Sequence, residues 1–255
     1  MHGTLLSIHS HKYVIKDSII TFYKMNRIII SLAVILSINI AAQEIPIKDN
    51  NLKTALLQQF DQNHNGKLEV SEINTVTELK LDEKNISELS GLEYFQSLKE
   101  LNLRKNNISD FSPVNKLTKL ENLYIGDNNK IEVLDLKGLV NLKGIYAFRF
   151  GLTKIQLNSK NIKYIYLQDN LFTDFDTREF TALHTLNLDG CKQLFNLDLS
   201  KNKDLVQLYL LGTSIKELDI TNNKTLKTFY IEDSVKLIKG ADQEATKRAP
   251  IITVK

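Results

Sequence analysis

The chain has 255 residues, of which 42% are hydrophobic and 25% charged, and this globular composition excludes disordered, collagen-like and coiled-coil proteins. The formal net charge is +3, and residues 1–42 account for the whole excess with four basic residues and one acidic residue. The remainder is neutral, so it lacks the basic surface that nucleic-acid binding requires, and we do not expect a nucleic-acid partner. The single cysteine, Cys191, excludes an intramolecular disulfide and a multi-cysteine zinc site.

The first segment in chain order is an apolar run at residues 28–42. Arg27 precedes this run, small residues end it and a polar segment comes after it, which is the order of a secretory signal peptide. The run is shorter than the about 20 residues that span a membrane. Met25 stands where a start codon would give a signal of ordinary length, so residues 1–24 are interpreted as an over-called start or a long leader.

We therefore expect an exported protein that is secreted, held at the cell surface or periplasmic. An uncleaved leader is the alternative, and it is the only route by which we expect the chain to contact a membrane.

The next segment, residues 61–72, reads DQNHNGKLEVSE and matches the pattern D-x-[DN]-x-[DN]-G-x5-E. A loop of this spacing wraps one cation with oxygen atoms, and the glycine at its sixth position permits a sharp turn. Apolar residues at 52, 55, 56, 57 and 60 predict a helix that enters the loop. The predicted metal ligands are Asp61, Asn63, Asn65, the Lys67 carbonyl, Glu69 and Glu72.

This segment resembles a single EF-hand loop. It predicts a weak calcium site, with a dissociation constant of about 10⁻⁴ to 10⁻³ M, that staples the N-terminal cap to the part of the chain that begins at residue 76. A polar helix-capping turn without an ion is the alternative.

From Val76 onward the pattern L-x-x-L-x-L occurs eight times at intervals of 20 to 22 residues. The copies begin at residues 76, 98, 120, 142, 162, 183, 205 and 226. Three residues past the sixth position lies a turn position, which four copies fill with Asn106, Asn128, Asn170 and Cys191. Each copy predicts one short strand whose apolar side chains stack on those of its neighbours, so the array folds as a unit.

The pattern at residues 76–240 resembles leucine-rich repeats, in particular the short internalin-like repeats of secreted bacterial proteins, some of which carry a calcium-loop segment before the array. The resemblance implies an α/β solenoid with a parallel concave sheet and a small helical N-terminal cap. We assign the cap to residues 43–75 and a C-terminal cap to residues 241–255. In the family as a whole, such domains are protein- or glycan-binding surfaces and not catalysts.

The second half of several repeats carries an apolar pair with a period of two, which predicts short extended or 3-10 segments on the convex side. These pairs are Ile155 and Leu157, Leu197 and Leu199, and Leu218 and Ile220. The fourth repeat departs from the pattern, because Arg149-Phe150-Gly151 stands where a regular turn is expected.

Tyrosines concentrate at one position of the repeats. Side chains alternate along a strand, so positions 3, 5 and 7 of each copy face the concave side. Position 5 holds Tyr124, Tyr146, Tyr166, Tyr209 and Tyr230, while Phe148 and Tyr164 lie beside this row at positions 7 and 3. Tyrosine combines a large contact area with a hydroxyl group, so these seven residues are the predicted ligand-binding surface. Cross-strand pairing that only stabilises the sheet is the alternative.

No set of residues with catalytic roles stands out, so we do not expect an enzyme. His64 lies inside the calcium-type loop at a position that supplies no ligand, and His184 lies at an edge position of its strand without a recognisable nucleophile motif. The leading hypothesis is an exported, monomeric adhesion-type module that binds a protein through its concave face. A carbohydrate-binding module using the same rings and a purely structural envelope protein are the alternatives.

Overall fold

The structure is a computed structural model that describes residues 25, 27, 43–241 and 243. The predicted leader lies outside these residues except for Met25 and Arg27, and the predicted C-terminal cap lies outside them except for Ala241 and Gln243. Within the described part of the chain, no helix has the length and apolar character needed to cross a bilayer.

Eight three-residue strands form one parallel sheet in the order β1-β2-β3-β5-β7-β8-β9-β11. These strands are Glu78–Lys80 (β1), Glu100–Asn102 (β2), Asn122–Tyr124 (β3), Gly144–Tyr146 (β5), Tyr164–Tyr166 (β7), Thr185–Asn187 (β8), Gln207–Tyr209 (β9) and Thr228–Tyr230 (β11). Each predicted repeat contributes one of them, and each strand pairs with that of the next repeat. The predicted leucine-rich repeat solenoid with a parallel concave sheet is confirmed.

Further short extended segments and 3-10 turns return the chain on the convex side. Strand β4 (Val133–Leu136) pairs with β6 (Lys154–Leu157), and β10 (Glu217–Asp219) pairs with β12 (Lys236–Ile238). Two 3-10 helices occupy the same part of earlier repeats, at Leu92–Tyr94 and Ser112–Lys116.

One of the three predicted extended pairs, Ile155 and Leu157, therefore lies entirely in a strand, and a second lies there in part, since Leu218 is in β10 and Ile220 follows that strand. The third pair, Leu197 and Leu199, does not, because pairing next to it is limited to one isolated bridge between Asp174 and Asn196.

The core is a column of aliphatic side chains that runs through the repeats. In the second repeat Leu98, Leu101 and Leu103 are each at most 1% exposed, and the equivalent residues of the other repeats are buried as well, except Val76 at the start of the array, which is half-buried. The irregular turn of the fourth repeat places Phe150 in the turn position, where it is fully buried and packs edge-on against Phe111 at a centroid distance of 5.7 Å. A large apolar side chain thus replaces the asparagine of neighbouring turns.

Contacts divide the chain into two units. Among the described residues, the smaller unit contains residues 25, 27, 43–44 and 69–71, and within it Glu44 and Glu69 form an antiparallel bridge. The larger unit contains residues 45–68, 72–241 and 243 and carries the repeat array. Helix α1 (Asn50–Phe60) belongs to the larger unit, and the short helix α2 spans Val70–Ile73.

Candidate functional site

The concave strands bring one residue of each repeat into a single row across the sheet. The pairing register places every member opposite the same position of the next strand. This position-five row consists of Lys80, Asn102, Tyr124, Tyr146, Tyr166, Asn187, Tyr209 and Tyr230. Five of the seven predicted ligand-binding residues therefore lie in one row, with Phe148 and Tyr164 outside it.

Within this row the tyrosines stack in two blocks. In the first block the ring of Tyr146 lies 4.3 Å from that of Tyr124 and 4.9 Å from that of Tyr166, with interplanar angles of 14° and 13°. In the second block the rings of Tyr209 and Tyr230 lie 4.9 Å apart at 11°. Rings stacked in this way cover each other's faces, so the interior ring presents its edge and its hydroxyl group.

The tyrosines of this row are half-buried, and burial keeps the hydroxyl groups of four of them protonated at neutral pH. Burial raises the pKa of Tyr124, Tyr146, Tyr166 and Tyr209 above the ordinary value. Since a protonated phenol both donates and accepts hydrogen bonds, the stack offers a row of hydroxyl groups spaced like the strands.

Asn187 separates the two blocks. Unlike the half-buried tyrosines of the row, Asn187 is only 7% exposed. Its short side chain lies in register between Tyr166 and Tyr209, and its Oδ1 accepts a hydrogen bond of 3.0 Å from the Asp189 amide. Asn187 is therefore a buried structural residue that interrupts the row of tyrosines.

Phe148 lies in the position-seven row beside the first block. Its ring leans over Gly126 of the preceding repeat, where a Cβ atom would stand 2.5 Å from the ring tip. Two guanidinium groups flank the ring, with the Cζ of Arg104 5.5 Å and that of Arg149 5.0 Å from its centroid. The sequence did not predict that the two arginines contact Phe148. Gly126, which lies between Arg104 and Phe148 in this row, was the one feature of the sequence that could have indicated the contact with Arg104.

On the opposite side of the row, Tyr164 contacts His184 with a centroid distance of 5.7 Å. The imidazole Nδ1 of His184 lies 3.1 Å from the Thr185 hydroxyl group, and Thr185 also bonds Gln207. These contacts position the side chains at the N-terminal ends of β7 and β8.

Cys191 is fully buried, and burial raises the pKa of its thiol to about 11. The thiolate, which is the nucleophilic form of cysteine, is therefore scarce at neutral pH.

The predicted calcium loop is held by hydrogen bonds from its own amides to the side chains predicted as ligands. Asp61 accepts from the amides of Asn65 (3.1 Å) and Gly66 (3.0 Å). Asn63 and Asn65 accept in turn from amides two residues ahead, and Glu72 Oε1 accepts from the Gln62 amide at 2.9 Å. Gly66 has a φ of +76°, as its position in the motif requires.

The loop thus gathers the side chains of Asp61, Asn63, Asn65 and Glu72 around one short turn, all of them oxygen donors. Glu69 lies in the smaller unit, and its part in the site stays a prediction. In the part of the chain that the structure describes, no group of three or more His, Cys, Asp or Glu side chains is close enough to hold a metal ion. The donor set of the loop therefore depends on amide and main-chain oxygens as well as carboxylates.

Comparison with known proteins agrees with this geometry. The family of Leucine Rich repeats (2 copies) matches residues 96–141, which cover the second and third repeats. No curated protein matches the sequence significantly.

Several solved structures of internalins from Listeria monocytogenes share the architecture. The functional domain of InlJ, which includes a cysteine ladder, aligns with a TM-score of 0.65 at 22% identity over 78% of this chain and 47% of that chain. The internalin InlF aligns with a TM-score of 0.51 at 25% identity over 75% and 55% of the two chains. Internalin C2 aligns with a TM-score of 0.52 at 19% identity over 72% and 93%.

This chain spans about half the length of the first two structures. The protein is a leucine-rich repeat solenoid with the fold seen in internalins.

Proposed function

We propose that the protein is an exported, non-enzymatic adhesion-type module that binds a protein partner through its concave face. The observation that carries the proposal is the stacked first block of tyrosines, which places three half-buried aromatic rings in one continuous strip. Rings fixed by their neighbours lose little side-chain entropy on binding, and tyrosine and arginine are enriched among the residues that dominate protein interfaces. The internalin-like fold also supports this function, because solenoids of this architecture commonly bind proteins.

A carbohydrate-binding module is the alternative. Sugar rings stack on exposed aromatic faces, and both faces of Tyr146 are covered by Tyr124 and Tyr166. The first block therefore offers edges and hydroxyl groups, which suits the hydrogen-bonding groups of a protein surface better than the face of a sugar.

A pull-down from cell-surface extract tests the proposal. We expect the full chain to capture a partner that the triple variant Tyr124→Ala, Tyr146→Ala, Tyr166→Ala fails to capture, because the variant removes the strip. The matched control removes three exposed apolar side chains elsewhere, Val133→Ala, Val140→Ala and Phe195→Ala, whose exposed fractions are 52%, 44% and 63%. Circular dichroism checks that both variants fold.

Equal capture by the wild type and the tyrosine variant would move the binding site off the concave face. Displacement of the captured partner by free oligosaccharide would favour the carbohydrate alternative, and capture by no form would favour a structural envelope protein.

We also propose that the loop at residues 61–72 binds calcium weakly and thereby stabilises the N-terminal cap. The hard oxygen donors of Asp61, Asn63, Asn65 and Glu72, together with the Lys67 carbonyl, match the ligands that calcium prefers. Bound calcium would offset the negative charges of the Asp61 and Glu72 carboxylates. The chain itself forms the turn, through Gly66 and the amide hydrogen bonds of the loop.

Thermal unfolding tests the calcium proposal. Calcium at roughly 5 mM, above the weakest expected dissociation constant of about 10⁻³ M, should raise the melting temperature of the full chain relative to excess chelator. The variant Glu72→Gln should show no such difference, whereas Glu93→Gln, outside the loop, should keep it. An unchanged melting temperature of the wild type on chelation would rule out the stabilising role.

A further inference from the structure

Arg104 differs from the other two arginines of the repeat array in having no ion pair among the described residues. Arg149 pairs with Asp127, with N···O distances of 2.5 and 2.7 Å, and Arg178 pairs with Asp176 at 2.7 Å. The Arg104 Nε atom, in contrast, is buried and has no hydrogen-bond partner. Because this atom is buried while the residue as a whole is half-buried, a ligand that approaches from solvent would meet the terminal N–H donors of Arg104.

The acidic side chains around Arg104 are already engaged by other groups. Asp82 accepts a hydrogen bond of 3.1 Å from Asn102, Glu83 pairs with Lys105, and Asp127 pairs with Arg149. Arg104 therefore forms no ion pair of its own among the described residues, although its charge adds to that of Lys105 and Arg149 in lowering the pKa of Glu83 and Asp127.

The guanidinium group of Arg104 is held in place by an aromatic ring. Its Cζ lies 5.5 Å from the centroid of Phe148, within the range of a cation–π contact. Phe148 reaches it because Gly126, which stands between them in the position-seven row, has no side chain. The contact with the ring restrains the guanidinium group, whose terminal N–H donors form no hydrogen bond among the described residues. Two such donors can bind one carboxylate.

We propose that Arg104, stacked on Phe148 beside the first tyrosine block, is the docking point for an aspartate or glutamate side chain of the protein partner. This inference rests on the proposed function, because it assigns the chemistry of a partner that the concave face binds. Charge complementarity selects the carboxylate, because Arg104 is a cation without an ion pair among the described residues. The adjacent tyrosines supply hydroxyl groups and apolar edges for the residues that flank the acidic one.

The direct test observes the arginine Nε–Hε resonances of the full chain by ¹⁵N NMR, with the Arg104 signal assigned by its loss in Arg104→Lys. The probe is N-acetyl-glutamate methylamide, and its matched neutral control is N-acetyl-glutamine methylamide. We expect the glutamate probe to shift the Arg104 signal saturably and to leave the Arg178 signal unchanged, since Arg178 is exposed and already paired.

A second variant isolates the ring. Gly126→Ala keeps every charge but places a methyl group where the tip of Phe148 lies, so the ring must move and the response of Arg104 to the glutamate probe should weaken. An Arg104 signal that ignores the glutamate probe, or that responds equally to the glutamine probe, would overturn the proposal. A response to inorganic phosphate but not to the glutamate probe would overturn it as well.

The pull-down separates failure of this inference from failure of the proposed function. If both hold, Arg104→Gln weakens capture of the partner by about tenfold or more, as expected for a central interface residue, and Arg178→Gln does not. If the tyrosine variant abolishes capture while Arg104→Gln leaves it unchanged, the proposed function stands and this inference fails. If neither variant changes capture, the proposed function itself fails.

Discussion

At the scale of single residues, the asparagines of the turn position hold the backbone of adjacent repeats together. The Nδ2 of Asn170 donates to the carbonyls of Ala147 and Leu167, both at 2.9 Å, and its Oδ1 accepts from the amide of Leu152 at 3.0 Å. Asn106 makes equivalent bonds in an earlier turn of the array. Because both side chains are buried, each satisfies backbone groups that water cannot reach.

We expect Asn170→Ala to lower the free energy of unfolding by about 3 kcal/mol or more, since several buried backbone groups lose their partners and each costs about 1–3 kcal/mol. Urea denaturation measures this change. The control is Asn129→Ala, whose exposed side chain bonds a single carbonyl, that of Asn107. Similar losses in the two variants would contradict the role assigned to the turn position.

A second residue-scale prediction concerns Asp189, which lies two residues past the end of β8. Burial, with smaller contributions from Asp169 and Glu232, raises the pKa of its carboxyl group to about 6, against a hydrogen bond from the Leu211 amide that lowers it. The pKa in the unfolded chain is about 3.9. Between these two values the folded state holds more protons than the unfolded state, so stability falls as pH rises from about 4 to about 6.

Asp189→Asn removes this titration but keeps an oxygen acceptor for the Leu211 amide. The variant should therefore be more stable than the wild type at pH 7.5, and the advantage should disappear by about pH 4. Urea midpoints measured across this range give the comparison. A stability difference that does not change with pH would show that Asp189 titrates normally in the folded protein.

At the scale of elements, one carboxylate joins the N-terminal helix to the first repeat. Asp49 caps α1 through bonds of 2.9 Å from the amides of Asn51 and Leu52, and its other oxygen accepts from the amide and hydroxyl group of Ser87 at 2.8 Å. Burial alone would raise the pKa of Asp49, but these hydrogen bonds outweigh it and the pKa is lowered. The helix and the repeat are thus fixed by the same side chain.

Asp49→Ala should cost about 2–4 kcal/mol of unfolding free energy, because it removes a helix cap and also leaves the donors of Ser87 unpaired. Asp49→Asn, which keeps one acceptor oxygen, should cost less. Urea unfolding followed by circular dichroism gives both values. A loss no larger than that of an ordinary helix cap, about 1 kcal/mol, would mean that the bonds to Ser87 contribute little.

At the scale of the whole molecule, the repeat period was sufficient to predict the fold and the position of the tyrosines. Side chains alternate along each strand, and strands recur about every 21 residues, so the positions of the leucines determine which residues face outward. The alignment of Tyr124, Tyr146 and Tyr166 in one row could be derived in this way. The direction in which a side chain leans cannot be derived from the register. The contact of Phe148 with Arg104 depends on the empty space above Gly126, and the link from Asp49 to Ser87 joins residues that no repeat relates.

Site-specific photo-crosslinking tests directly whether the concave face binds a protein partner. The photoreactive residue p-benzoylphenylalanine is introduced in place of Tyr164, beside the tyrosine strip, or in place of Phe195, which is 63% exposed and lies outside it. Each full-length protein is irradiated with cell-surface extract. We expect a discrete crosslinked protein from position 164 and none from position 195. Crosslinking to the same protein from position 195 alone would contradict it.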